Sequence, residues 1–206
     1  MTDSIASYSD NVIGLVLAAG KSSRMGRPKM DLPWGNTSVL GAVISAMSAG
    51  GLRDVIVVIN PLRKPVIPDN LPEINLHWIE NQEAEVEDML VSIQTGLRAI
   101  PDICHYAMIC PGDQPTIEST TVKVLLDSVT RQTPKLVFPS YHMRRGHPWM
   151  VHRSLWNEIL QLNKSDNVRT VLHACEKEIF YVNIDSDPPS DIDTPEEYQR
   201  LISNRR

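Results

Sequence analysis

A chain of 206 residues, 42% hydrophobic and 22% charged, is long enough for one domain with a sizeable core, and it reads as a single unit over 1–206 with a flexible lead at 1–11. Its net charge of -5, from 20 basic against 25 acidic residues, lacks the basic surplus of a general nucleic-acid binder. Three cysteines without a CxxC pair argue against a disulfide framework or zinc ribbon, MTDSIASYSDN is no signal peptide, and no apolar run of about 18 residues marks a membrane span. The expected setting is therefore the cytoplasm, with neither nucleic acid nor membrane as partner.

In chain order, VIGLVLA at 12–18 is apolar throughout, as a strand covered on both faces should be. A polar, glycine-containing loop runs from Ala19 to about Trp34. Thr37 or Ser38 then caps a helix with Leu40, Val43, Ile44 and Met47 on one face, ended by Gly50 and Gly51. DVIVVIN at 54–60 is a strand, and prolines at 61, 65, 68 and 72 stiffen the connection to a third at 74–79. A helix over 86–99 turns Met89, Leu90, Ile93 and Leu97 inward. A strand at 105–110 runs into PGDQP, and a helix at 117–129 follows. Strands are expected at 135–141 and within 146–151, helices through Leu155, Ile159 and Leu160 and over 167–175, and a last strand at 179–184. Thr194 caps a closing helix that starts at Pro195. Strands alternating with amphipathic stretches predict βαβ units and a mainly parallel sheet.

Four motifs carry chemistry. LAAGKSSRMGRPK, residues 17–29, leaves the C-terminal end of the first strand, where open α/β sheets bind ligands. The small residues Ala18, Ala19 and Gly20 allow close backbone approach, and Arg24 and Lys29 carry charge suited to a triphosphate, with Arg27 at the rim. It is neither a Walker loop nor a GxGxxG fingerprint. In PGDQP, Asp113 is placed either to hold a divalent cation near a phosphate or simply to make a turn. In DIDTPEEY, Asp191 and Asp193 lie two apart, so an extended chain puts both on one face; capping by Asp193 and Thr194 is the plainer reading. In RRGHP, His147 is either a ligand-binding hydrogen-bonder or a structural one, and Arg144 and Arg145 either reach an anion or face solvent.

The first motif closely resembles the signature of the molybdenum-cofactor nucleotidyltransferases, the cytidylyl- and guanylyltransferases that extend molybdopterin, and the likeness runs from about Val12 to Leu201. The resemblance implies a three-layer Rossmann-like nucleotidyltransferase fold, α/β with a mainly parallel mixed sheet. It implies Mg²⁺-dependent transfer of a nucleoside monophosphate from an NTP to a phosphorylated acceptor, molybdopterin first among them, with release of pyrophosphate. By the same likeness Arg24, Lys29 and Asp113 are catalytic. The nucleotide falls to Leu17, Ala18, Ala19, Gly20, Arg24, Lys29, Asn81, Ser92, Gly112 and Asp113. Asp113 is the main metal ligand, with Asp193 preferred to Asp191 as the second. Gly146, His147, Pro148 and Arg169 face the acceptor. The AAG form of the loop leans toward CTP over GTP, and a molybdoenzyme or its chaperone is the implied protein partner.

Two segments depart from the family pattern. Glu87, Asp88, Met89 and Leu90 stand where small residues are usual, and NKSDNVRTVL keeps Asp166 and Arg169 but lacks the glycines. Both put base and acceptor recognition in question. Rival chemistries are weaker: there is no GxSxG elbow, and the DxD of Asp191–Asp193 sits too far along the chain for a glycosyltransferase of the GT-A type. Other phosphorylated acceptors, or a non-catalytic cofactor carrier, are the remaining alternatives.

Overall fold

The computed structural model describes residues 11–66, 71–84, 89–163 and 166–204. The expected flexible lead, apart from Asn11, and the expected helix start at 86–88 lie outside these residues. Strand β1 (Val12–Ala18) is buried at every position and is an interior strand of the sheet. It is followed by β2 (Pro33–Trp34), β3 (Thr37–Ser38), α1 (Val39–Ala49), β4 (Asp54–Ile59), β5 (Asn75–Glu80), α2 (Met89–Ala99) and β6 (Tyr106–Pro111). Then come α3 (Ser119–Arg131), β7 (Leu136–Tyr141), β8 (Arg144–Arg145), β9 (Trp149–His152), α4 (Trp156–Leu160), α5 (Val168–Ala174), β10 (Ile179–Ile184) and α6 (Pro195–Ser203).

The main sheet runs β10-β7-β9-β6-β1-β4-β5, with β8 attached to β7. The pairings β6–β1–β4–β5 and β7–β10 are parallel, while β9 is antiparallel to both β6 and β7. The sheet is mainly parallel, as the alternation of elements predicts, and mixed, as the resemblance implies.

Period-two alternation on β1 separates the two faces. Ile13, Leu15 and Leu17 join one apolar cluster with Leu90, Ile93 and Leu97 of α2 and with residues of α4 and α5. Val12, Val16 and Ala18 join another with α1 and α3. Three layers follow, helices on both faces of one sheet. The α2 layer sits very close: a Cβ on Gly96 would lie 2.2 Å from Leu15 Cδ1, so only glycine lets the helix approach β1 this far.

The Ser38 side chain caps α1 by accepting from the Gly41 amide at 3.1 Å, and Thr194 and Glu197 form a full capping box on α6. The structure also corrects the sequence reading. Met89 is 56% exposed rather than turned inward, and it lies along the cleft described below. The polar loop ends in the β2–β3 hairpin, with 3₁₀ turns at Ser23–Met25 and Lys29–Asp31. Arg144 and Arg145 form β8, pairing back onto β7. Pro139 has no N–H to donate, and it falls in the gap on β7 between the β9 ladder, which reaches Val137, and the β8 ladder, which starts at Ser140. No helix among the described residues is long and apolar enough to cross a membrane.

Candidate active site

The loop after β1 is held by its own backbone. Ser22 adopts a left-handed conformation (φ 55°), Gly26 another (φ 66°), and Ser22 Oγ accepts the Lys29 amide at 3.1 Å. Met25 is buried beneath it in a third apolar cluster with Leu32, Trp34, Ile192 and Tyr198. The loop is thus anchored to the tail of the chain as well as to β1.

Three segments meet at its foot. The Gly112 amide donates to Leu17 O at 2.9 Å, drawing PGD beside the end of β1. The Ile192 amide donates to Asp113 O at 3.1 Å, drawing in the tail. Glu197 Oε2 accepts the amides of Asp193 and Thr194, each at 2.9 Å, so the α6 cap that fixes the helix also fixes Asp193. The side chains then converge. Lys29 Nζ donates to Asp113 Oδ2 in a short contact and to Asp193 Oδ1 at 3.1 Å, and Arg24 Nη2 meets Asp193 Oδ2 at 2.9 Å.

Burial alone would lower the Lys29 pKa, but attraction and hydrogen bonds from Asp113 and Asp193 outweigh it and hold the ammonium above its ordinary value. Burial pushes the Asp113 carboxyl up, with Lys29 opposing and Asp191 adding to the rise. Asp193, nearer the surface, is held below the usual carboxylate range: its burial works upward, but Lys29 and Arg24 prevail. The ammonium is therefore a fixed positive charge between two carboxylates, one of them poorly solvated.

A cleft of about 1140 Å³ opens over this cluster. Of the residues expected at the nucleotide, Leu17, Ala19, Gly20, Arg24, Lys29, Ser92 and Asp113 line it. Ala18 and Gly112 are not among the lining residues, although Gly112 packs against the loop closely enough that a Cβ would lie 3.2 Å from Leu17 O. Asn81 is also absent from the cleft. Its Nδ2 donates to Ser92 Oγ at 3.1 Å and its Oδ1 accepts the Glu83 amide at 2.9 Å, beside a separate hollow of about 170 Å³. Arg27 lies over the Tyr198 ring at 5.8 Å rather than on the cleft.

The other half of the cleft is lined by Gly146, His147 and Arg169, three of the four residues expected at the acceptor, while Pro148 stands outside the lining. Phe138 and Trp149 also line this half, with rings stacked 5.3 Å apart, and the Arg145 guanidinium lies 5.7 Å from the Phe138 ring centre. Tyr141 OH donates to His147 O at 2.9 Å, and a Cβ on Gly146 would strike the Tyr141 ring at 2.6 Å. Burial lowers the His147 pKa to about 4, so the ring is neutral at physiological pH. Asp191 turns away from the lysine: its Oδ1 accepts from Gln114 Nε2 at 2.7 Å.

Residue reasoning assigned no role to Gln114, Phe138 or Trp149. Gln114 stands inside PGDQP, but it is 4% exposed and meets Asp191 of the tail and His147, partners far along the chain that no local pattern announces. Phe138 and Trp149 meet only through the β7–β9 arrangement.

The donor set suits a hard divalent ion of one kind. Among the described residues no group of three His, Cys, Asp or Glu gathers into an all-protein cage. Asp113 and Asp193 do share one cation, the Lys29 ammonium, which shows that both carboxylates can address a single positive charge. Mg²⁺ is commonly held by one or two carboxylates together with substrate phosphates, so the residues present fit an ion that arrives with a nucleotide.

Residues 14–179 match the family model of the MobA-like NTP transferase domain. The chain is 24% identical over 189 residues to the molybdenum cofactor cytidylyltransferase of Escherichia coli, covering 89% of this chain and 94% of that protein. It is 30% identical over 129 residues to a probable molybdenum cofactor guanylyltransferase of Mycobacterium avium, 61% of each chain. The crystal structure of Rv0371c from Mycobacterium tuberculosis superposes with a TM-score of 0.78 at 25% identity, over 94% of this chain and 98% of that one.

Proposed function

The chain belongs to the family of MobA-like NTP transferase domains, a nucleotidyltransferase family, and from that membership we propose that it transfers a nucleoside monophosphate from an NTP to the phosphate of molybdopterin, releasing pyrophosphate. CTP is the favoured donor over GTP. The AAG form of the loop and the near full-length likeness to a cytidylyltransferase support that choice. The observation that carries the reading is the Lys29 ammonium, bracketed by Asp113 and Asp193 at the foot of the glycine-bearing loop, in one cleft with His147 and Arg169.

A phosphate nucleophile is already ionised at neutral pH, so attack on the α-phosphorus requires no general base. The protein's task is positioning and charge neutralisation. Arg24 and Lys29 bind the triphosphate and stabilise charge on the departing pyrophosphate. Arg169 holds the acceptor's anionic end, and neutral His147 donates a hydrogen bond to it. Mg²⁺, held by Asp113 and Asp193, would supply further charge neutralisation at the phosphates. The thiols Cys104, Cys110 and Cys175 are free, two of them buried, which suits a reducing compartment, the cytoplasm. The product would pass to a molybdoenzyme or its chaperone.

The test is pyrophosphate release from purified protein with molybdopterin, Mg²⁺ and either CTP or GTP. Release with CTP well above GTP is the expected result. Release only with a sugar or alditol phosphate would replace the acceptor, and tight molybdopterin binding without release with any NTP would make the protein a carrier.

A further inference from the structure

Gln114 ties the carboxylate side of the cleft to the acceptor side. Its Nε2 lies 2.7 Å from Asp191 Oδ1 and 3.3 Å from His147 Nδ1. An ionised carboxylate only accepts hydrogen bonds, so the amide atom facing Asp191 is the nitrogen. That nitrogen carries two protons. One is given to Asp191, and the other faces the imidazole. A ring nitrogen that faces a donor must present its lone pair, which leaves the ring proton on the opposite nitrogen. We infer that Gln114 is a positioning residue, oriented by Asp191, that holds His147 as the neutral Nε2–H tautomer and so presents a fixed hydrogen-bond donor to the acceptor's anionic group.

The surroundings agree. Burial keeps the imidazole uncharged at neutral pH, and a charged ring would set Nδ1–H against the amide protons. The Tyr141 hydroxyl on His147 O and the tight seat of Gly146 against the Tyr141 ring fix the backbone that carries the imidazole. Gln114 Oε1 is buried without a partner among the described residues, yet turning the amide over would bring that oxygen onto the Asp191 carboxylate. The amide therefore has one tenable orientation. The chain Asp191–Gln114–His147 also gives Asp191 a role distinct from that of Asp193, which faces Lys29.

The tautomer stands on this geometry alone; its use toward a phosphorylated acceptor rests on the proposed function. Long-range ¹H–¹⁵N spectra of the ¹⁵N-histidine-labelled full chain, without ligand at neutral pH, read the tautomer directly, and the signal is assigned by its loss in His147→Gln. The expected result is a single Nε2–H form. A single Nδ1–H form, or an imidazolium, would overturn the inference. In Gln114→Met the expected result is a mixed-tautomer spectrum, with KM for molybdopterin raised about tenfold, the worth of one hydrogen bond, and KM for the NTP nearly unchanged. An unchanged spectrum in that variant, or equal rises in both KM values, would assign Gln114 a structural part only. Should the transfer reaction itself fail to appear, the spectra still decide the tautomer, so the two ideas fail separately.

Discussion

Replacing Lys29 with methionine tests the central cluster most directly. The Lys29 and Asp113 side chains are 11% and 16% exposed, so water does little to replace the lost ammonium. Removing one partner of a buried pair costs about 3–5 kcal/mol. Asp113 keeps some solvent and can take up a proton, so the expected cost at pH 8 is at the lower edge, about 3 kcal/mol. Asp113→Asn should cost less, about 1 kcal/mol, because Lys29 retains Asp193. The double variant should fall short of the sum by about 1–2 kcal/mol, since neither half of the pair is left unmatched.

The pH dependence has a definite sign. Burial already raises Asp113 above its ordinary value, and without Lys29 it rises further. A carboxyl whose folded pKa lies above its unfolded one penalises the native state when ionised, and the penalty fades as pH falls through the folded value. Lys29, held above 10.5, stays charged throughout this range. The loss in Lys29→Met should therefore shrink between pH 8 and pH 5, and the double variant should not show that slope. Urea unfolding of the four proteins at three pH values measures both effects. A pH-independent loss, or additivity within about 0.5 kcal/mol, would refute the buried-pair account.

Three further outcomes follow from other parts of the molecule. Asp113→Ala should lower kcat by about a hundredfold or more while the protein stays folded, read by pyrophosphate release alongside circular dichroism. Gly96→Ala should destabilise by about 1–3 kcal/mol, because its Cβ would fall 2.2 Å from Leu15 Cδ1, with KM values unaltered; a neutral effect in thermal unfolding would mean that α2 can lift off β1. His147, with a folded pKa of about 4, resists a proton that its unfolded form takes up near 6.5. Wild-type stability should then fall by up to about 3 kcal/mol more than that of His147→Gln as pH drops from 6.5 toward 4, and parallel curves would contradict the buried neutral ring.

Much of the framework was legible because its signals are local. The continuous apolar run of β1, the Pro195 helix start with its Thr194 cap, and the unbroken IFYVNI strand depend on neighbours in sequence, and each appears where the pattern puts it. The short pairings did not announce themselves. Pro33–Trp34 with Thr37–Ser38, and Arg144–Arg145 with Ser140–Tyr141, are two-residue ladders below the length at which alternation can be recognised. Helical periodicity also misassigned Met89, which falls on the inward stripe by spacing but opens onto the cleft. Within the site, the loop and Asp113 were marked by small and acidic residues beside strand ends, and DIDTP by its two acids spaced two apart. That Asp193 and not Asp191 meets Lys29 could not be read from the pair, because the direction each takes is set by Glu197 on one side and Gln114 on the other.

The attachment of the tail decides when the two-carboxylate cluster around Lys29 can form. Ile192 is wholly enclosed and Tyr198 donates to Pro33 O at 2.7 Å, so Asp193 reaches the lysine only once the segment beyond β10 has docked on the opening hairpin. A chain that stops short of α6 would hold the loop and Asp113 yet leave Lys29 without its second carboxylate.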